Sequence, residues 1–155
     1  HLFQECPCIS EWGTLQWSEL LIAQLQLAAY CQCWERFSID EWKSLLSIQP
    51  RLIFHCPNPE HPTVLAGFLA GSPESAFCVK DWNCFSLYDW LFMLRTSRKL
   101  EACCPCWEYF SISHWWNLLY HQPGYVERCP VINQFTEEDW RLLCRKHPVL
   151  EKHRS

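Results

Sequence analysis

The sequence predicts an all-α fold, a right- or left-handed solenoid of about six repeats of about 25 residues, with two short helices in each and no sheet. The first observation behind this prediction is a tryptophan that recurs at intervals of 25, 48, 25 and 25 residues. Its copies are Trp17, Trp42, Trp90, Trp115 and Trp140. The second is that a cysteine, a proline and a further aromatic residue recur in the same register. Such self-similarity is the signature of repeat architectures.

The register treats residues 1–155 as a single helical repeat array. Its units are expected at approximately 6–30, 31–55, 56–78, 79–103, 104–128 and 129–155. A helix of this length is marginal alone in water, and one small unit cannot bury its own apolar face. Neighbouring units must therefore stack on one another, with the five recurring tryptophans in the shared core.

Within each unit, a Ser or Thr precedes the tryptophan and is expected to cap the first helix by accepting a hydrogen bond from an early amide. These residues are Ser38, Thr63, Ser86, Ser111 and Thr136. In the second unit, Ile39, Trp42, Leu45 and Leu46 fall on one helix face. Pro50 then ends this helix, because proline lacks the amide that a helix needs. Residues 51–55 are expected to form the second short helical turn.

The third unit departs from the pattern. Gly67, Ala70 and Gly71 stand where the other units have Trp, Leu and Leu, and the unit is two residues shorter. Losing so much side-chain volume leaves a hole unless neighbours approach more closely. Two outcomes are open: the superhelix bends here, or a small apolar pocket forms.

The clearest copy of the repeat has a recognisable string, F-S-x-x-D/E-W-x-x-L-L-x-x-x-P-x-L-x-x-x-C-P, from Phe37 to Pro57. The sixth unit repeats much of it from Phe135 to Leu150. The string resembles tandem repeats of uncharacterised bacterial proteins, and the two-short-helix style is similar in architecture to leucine-rich repeat variant solenoids. The resemblance implies an array module with no known catalytic activity.

Twelve cysteines leave three interpretations open. Equivalent residues of stacked helices lie about 10 Å apart, and a disulfide needs Cα atoms within about 7 Å. The favoured interpretation is therefore a column of buried thiols that act as small apolar side chains. Disulfides to cysteines outside the column are the second. A structural zinc site is a minority possibility, with ligands Cys6, Cys8, Cys31 and Cys33 from two C-x-C pairs. Otherwise we expect no cofactor.

Composition excludes several classes of function. Four glycines make a phosphate-binding loop implausible, and a net charge of −4 argues against a nucleic-acid surface. No apolar run is long enough for a transmembrane helix, and no signal peptide is recognisable in the chain. Cysteine usage is compatible with a reduced cytoplasm or with an extracellular, disulfide-bonded state. No catalytic motif occurs, and the neighbours His55 and Cys56 are expected to be a surface histidine beside a packing thiol.

Positions that differ between repeats face solvent or a partner. Just after the tryptophan, the fourth and fifth units carry large apolar side chains where other units are more polar. The candidate partner-binding residues are Tyr88, Leu91, Phe92, Trp116 and Tyr120. Aromatic residues dominate binding hot spots, although the same residues are alternatively explained by internal packing.

The sequence therefore favours a noncatalytic scaffold that binds a protein or peptide. The alternative is a structural protein that assembles with copies of itself into a fibre or stacked array. A metal- or thiol-dependent activity is the third hypothesis.

Overall fold

The computed structural model describes residues 11–154. The chain divides into two units, His1–Cys78 (unit 1) and Val79–Ser155 (unit 2), and the described residues of each are compact. Within residues 11–154 the chain is helical and contains no strand. The all-α repeat prediction is therefore confirmed. The boundary between the units lies between Cys78 and Val79, where the repeat register also places the end of the third repeat.

Each repeat contributes one α-helix of ten residues. Unit 1 contains α1 (Thr14–Ala23), α2 (Ile39–Ile48) and α3 (Pro62–Gly71). Unit 2 contains α4 (Leu87–Thr96), α5 (Ile112–His121) and α6 (Glu137–Lys146). In each unit the three helices pack consecutively, α1 on α2 on α3 and α4 on α5 on α6.

The predicted second helix of each repeat is a six-residue 3-10 helix that starts two residues after the α-helix. These helices are Leu25–Tyr30, Pro50–His55, Pro73–Cys78, Arg98–Cys103, Pro123–Arg128 and Pro148–His153. Four repeats also have a three-residue 3-10 helix before the α-helix: Trp34–Arg36, Trp82–Cys84, Trp107–Tyr109 and Ile132–Gln134. The first repeat has Leu25 in place of proline and still forms the 3-10 helix.

Four of the five predicted N-caps form reciprocal capping boxes, in which the third helical residue also bonds back to the cap. The pairs are Ser38 with Glu41, Ser86 with Asp89, Ser111 with His114 and Thr136 with Asp139. Thr63 is the exception. In the shortened third repeat α3 starts at Pro62, with His61 as an N-cap whose side chain makes no capping bond, so Thr63 lies inside the first turn.

The five recurring tryptophans are all buried, none more than 6% exposed, in agreement with their predicted place in the core. The aromatic residue five positions earlier packs against each ring. In unit 2 these contacts are edge-to-face, with centroid distances of 5.8 Å for Phe85–Trp90, 5.9 Å for Phe110–Trp115 and 6.0 Å for Phe135–Trp140. Edge-to-face pairs are favourable because the positive ring edge meets the negative face.

The shortened third repeat is accommodated by close approach of α3 to α2. A Cβ atom at Gly67 would lie 2.6 Å from the Cα of Lys43, and one at Gly71 would lie 2.5 Å from the carbonyl oxygen of Leu46. Both distances are far below van der Waals contact. The missing side chains thus let the two backbones meet, and this contact occupies the volume for which the sequence left a bend or a pocket open.

Successive repeats are also joined by a hydrogen bond at the helix ends. The residue after an α-helix reaches a carbonyl near the end of the preceding helix, 27 residues earlier. The Nε2 atoms of Gln49 and Gln122 donate to the carbonyls of Ile22 and Arg95, both at 3.0 Å. His147 Nε2 lies 2.9 Å from the carbonyl of Tyr120. These bonds satisfy carbonyls that have no partner within their own helix.

Candidate partner-binding surface

The five predicted binding residues all lie in unit 2, on α4 and α5. Tyr88 is 79% exposed, whereas Leu91 is only 9% exposed and belongs to the core. Phe92, Trp116 and Tyr120 are half-buried. Leu91 is therefore a correction to the expected surface. It sits in the same repeat position as Trp116, but an aliphatic side chain at this place on α4 packs inward.

Helical register explains which side chains share this face. The starts of α4, α5 and α6 are 25 residues apart, so residues 25 apart hold equivalent positions. Tyr120 on α5 corresponds to Arg95 on α4 and to Arg145 on α6. The predicted binding residues are all aromatic or aliphatic, so these two cations are not among them. A comparison of the columns at this spacing identifies them.

Trp116 and Tyr120 form a stacked pair one helical turn apart on α5. Their ring centroids are 5.0 Å apart, and the planes are inclined by only 15°. The ammonium nitrogen of Lys146, on α6, lies 3.4 Å from the centroid of the Tyr120 ring. Such a cation–π contact holds the ring and the charge together. We call Trp116, Tyr120, Arg95, Arg145 and Lys146 the contact surface.

Tyr88 and Phe92 flank this surface on α4. The Tyr88 ring meets His114 edge-to-face at 6.3 Å, and the Arg95 guanidinium carbon lies 5.5 Å from the Phe92 ring centroid. The indole Nε1 of Trp116 is itself buried and has no hydrogen-bond partner within residues 11–154. Trp116 is therefore held by its ring contacts rather than by a hydrogen bond.

The charges around Tyr120 are positive. Among the salt bridges of the described residues, none includes Arg95, Arg145 or Lys146, whereas Arg141 pairs with Glu138. Burial, followed by the positive charges of Arg95, Lys146 and His147, lowers the pKa of His121. Each of these charges disfavours a further proton on the imidazole. The ends of α4, α5 and α6 thus create a positive potential beside the stacked rings.

The ten cysteines in the described part of the chain are all free thiols. The predicted column consists of Cys6, Cys31, Cys56, Cys104 and Cys129, with Cys78 one residue out of register. Cys31, Cys104 and Cys129 are buried, Cys56 is half-buried, Cys78 is exposed, and Cys6 lies outside the described residues. The C-x-C pairs bring Sγ atoms to 3.7 Å in Cys31–Cys33 and to 3.6 Å in Cys104–Cys106. Burial raises the pKa of the Cys31 and Cys104 thiols to about 12. These thiols are protonated at neutral pH and are poor nucleophiles.

The structure also describes the environment of His55 and the arrangement of potential metal ligands. His55, next to Cys56 in the sequence, stacks on Trp34 at 4.7 Å. Within residues 11–154 no group of three or more His, Cys, Asp or Glu side chains is arranged to hold a metal ion. Two of the four proposed zinc ligands, Cys6 and Cys8, lie outside the described residues, so that site stays a prediction.

A second set of exposed aromatic residues lies in unit 1, whereas all the predicted binding residues lie in unit 2. Phe54 is 88% exposed and Phe77 is 87% exposed. Each follows the first proline of its 3-10 helix by four residues, so they occupy the same repeat position. The signal that could have found them is this shared position, which holds Ala29, Ala102, Glu127 and Lys152 in the other repeats.

The helices of the structure and the comparisons with known proteins give two further findings. No helix among the described residues is long and apolar enough to cross a membrane. The chain has no match among protein-family models, curated proteins or solved structures.

Proposed function

We propose that this protein is a noncatalytic helical repeat module that binds a protein or peptide through the contact surface of unit 2. The observation that carries the proposal is the stacked pair of Trp116 and Tyr120, which lies half-exposed on α5 while the adjacent Trp115 fills the core. Trp and Tyr are the residues most enriched in binding hot spots, because they offer a large, rigid contact area.

The surroundings of this pair support the proposal. Its rings are already ordered by each other and by Lys146 before any partner arrives. A preordered surface loses less conformational entropy on binding than a mobile one. The thiols with strongly raised pKa values are unsuited to nucleophilic catalysis, which also favours a binding role over the thiol-dependent alternative.

Self-assembly through α6 is the less favoured function. The exposed side chains of α6 are charged with one exception, Leu142: Glu137, Glu138, Arg141, Arg145 and Lys146. An end-to-end contact that buried these charges would remove their hydration without a matched set of partners. Light scattering at rising protein concentration separates the functions, because a binding module keeps a constant mass.

The proposal is tested by selecting peptides from a random displayed library on the immobilised full chain and measuring their affinity by fluorescence anisotropy. Trp116→Ser should weaken binding at least about 10-fold, since a hot-spot residue contributes about 2 kcal/mol or more. Tyr109→Ser is the matched control, because Tyr109 is 66% exposed and lies outside the contact surface. It should leave the affinity unchanged.

The melting temperature of each variant provides the second readout. Trp116→Ser should retain the helix content and approximately the melting temperature of the parent chain. A loss of stability as large as that expected for a core tryptophan would contradict the proposal, as would selected peptides that bind Trp116→Ser as tightly as the parent.

A further inference from the structure

We infer that the partner of the contact surface is an acidic peptide, one that places carboxylates beside an aromatic or aliphatic side chain. This inference rests on the proposed function and specifies the chemistry of its ligand. It is carried by the cations in the last turns of α4 and α6, of which Lys146 lies over the Tyr120 ring, rather than by the rings themselves.

Acidic residues and most Lys and Arg residues occupy opposite ends of the helices of unit 2. Every acidic residue of α4, α5 and α6 lies in the first turn of its helix: Asp89, Glu137, Glu138 and Asp139. Arg95, Arg145 and Lys146 lie in the last turns. The remaining cation, Arg141, is paired with Glu138. The end of the helices that carries Tyr120 is therefore the positive end of this face.

These three cations form no salt bridge with a carboxylate within residues 11–154. Arg95, Arg145 and Lys146 occur in none of the salt bridges there, and Arg95 and Lys146 instead lie against aromatic rings. Cations do interact favourably with the carbonyl end of a helix. After burial, the positive charges of Arg95 and Lys146 also contribute to lowering the pKa of the nearby His121.

The charge balance of unit 2 favours a short acidic peptide over a nucleic acid. Unit 2 contains ten Lys and Arg against nine Asp and Glu, and the whole chain has a net charge of −4. A nucleic-acid surface normally requires a basic stripe that neutralises many phosphates. The contact surface contains only three cations beside one aromatic pair, too few for such a stripe. A short acidic segment with an apolar residue matches this arrangement in both charge and size.

Repeat spacing also suggests a spacing for the acidic residues. Packed helices lie about 8–10 Å apart, and an extended chain advances about 3.3 Å per residue. An extended peptide that crosses from α5 to α6 therefore advances about three residues. We expect Asp or Glu about three positions apart, with the apolar residue between them against Trp116 and Tyr120.

The test uses the full chain and three fluorescent peptides of equal length. The first contains glutamates three residues apart with tryptophan and leucine between them; the second has glutamine, and the third lysine, at the glutamate positions. A fluorescent thymidine oligonucleotide of similar length is the fourth probe. Affinity is measured by anisotropy at low and at high sodium chloride concentration.

The acidic peptide should bind at least about 10-fold more tightly than the glutamine peptide at low salt, and the difference should shrink at high salt because ions screen the charges. Combined Arg95→Gln and Lys146→Gln should remove most of the preference. Lys99→Gln is the matched control, since Lys99 is exposed and lies on the 3-10 helix outside the contact surface.

Equal affinity for the acidic and glutamine peptides would overturn the inference, and so would tighter binding of the oligonucleotide. If equal affinity were accompanied by loss of binding in Trp116→Ser, the proposed function would stand and only the acidic specificity would fail. If Trp116→Ser bound every probe and every library-selected peptide as well as the parent chain, the proposed function itself would fail.

Discussion

Gly67 and Gly71 show how single residues set the distance between two helices. At both positions the nearest atoms of α2 belong to its backbone, which cannot rotate away as a side chain can. The lack of a Cβ is thus required by the approach of α3, not by an unusual backbone angle. No described glycine has a positive φ angle.

Gly67→Ala should lower the free energy of unfolding by about 1–3 kcal/mol, the usual range for overpacking. This loss should appear although alanine is the better helix former by about 1 kcal/mol. Urea unfolding monitored by circular dichroism measures it. Ser44→Ala is the control, because Ser44 is exposed on α2 and alanine is the better helix former. Equal stability of the two variants would show that α2 and α3 are not in close contact.

The ionised carboxylate of Glu41 stabilises the folded state through its hydrogen bonds. The Thr14 hydroxyl and the backbone N–H of Ser38 hold the pKa of its carboxyl below the ordinary value. Because the folded state prefers the ionised form, this contribution to stability is present above the unfolded pKa, about 4.5. It is lost as the pH falls through the lower folded value.

Glu41→Gln should therefore reduce the melting temperature at about pH 7, and the difference from the parent chain should shrink at about pH 3. Thermal unfolding at the two pH values provides the measurement. Glu35→Gln, which replaces another carboxylate of unit 1, is the control for the loss of one negative charge. A difference that grew on acidification would contradict the assigned role of Glu41.

At the scale of elements, the residue directly after each α-helix distinguishes the repeats. Gln49, Gln122 and His147 hold this position and reach back to the preceding helix. The third and fourth repeats have Ser72 and Ser97 there, whose side chains are shorter. In the third repeat, the close glycine contact supplies the cohesion between α2 and α3.

Gln122→Ala should destabilise the protein by about 1 kcal/mol, because it leaves the Arg95 carbonyl without its inter-repeat hydrogen bond. Gln134→Ala, at an exposed position on a short 3-10 helix, should have an effect of less than about 0.5 kcal/mol. Chemical denaturation of both variants provides the comparison. If Gln122→Ala were as mild as Gln134→Ala, the bond would contribute nothing to the joining of repeats.

The elements that could be predicted from the sequence are those with a local physical signal. The N-caps, the tryptophan core and the ending of α2 before Pro50 all result from hydrogen-bonding and burial rules that act within one repeat. Thr63 departs from the prediction because the shortened repeat starts its helix at Pro62. The second helix begins with the recurring proline in four of the six repeats, but the residue pattern does not distinguish a 3-10 helix from an α-helical turn.

The candidate site was only partly predictable. Trp116 and Tyr120 stand out because the other repeats carry different residues at their positions. The burial of Leu91 depends on how α4 packs, and aliphatic character alone does not determine it. Arg95 and Lys146 are not among the predicted binding residues, because their relation to Tyr120 spans different helices. Arg95 holds the repeat position of Tyr120 on α4, and Lys146 lies over the Tyr120 ring from α6.

At the scale of the whole molecule, the two units differ in charge. Unit 1 has three Lys and Arg against eight Asp and Glu, whereas unit 2 is close to neutral with a local positive surface. If the partner is an acidic peptide, as proposed, we expect the negative charge of unit 1 to repel it and to favour its encounter with unit 2. Because salt screens charges, high salt should lower the affinity for an acidic peptide and also reduce its preference for unit 2 over unit 1.

In this fold, one register of tryptophans fills the core, while Trp116, next to Trp115, is half-exposed. Fluorine NMR of the protein labelled with 5-fluorotryptophan, with a soluble nitroxide added, measures this directly. We expect the resonances of Trp17, Trp42, Trp90, Trp115 and Trp140 to stay sharp while that of Trp116 broadens. Broadening of the five register resonances to the same extent as that of Trp116 would contradict the account.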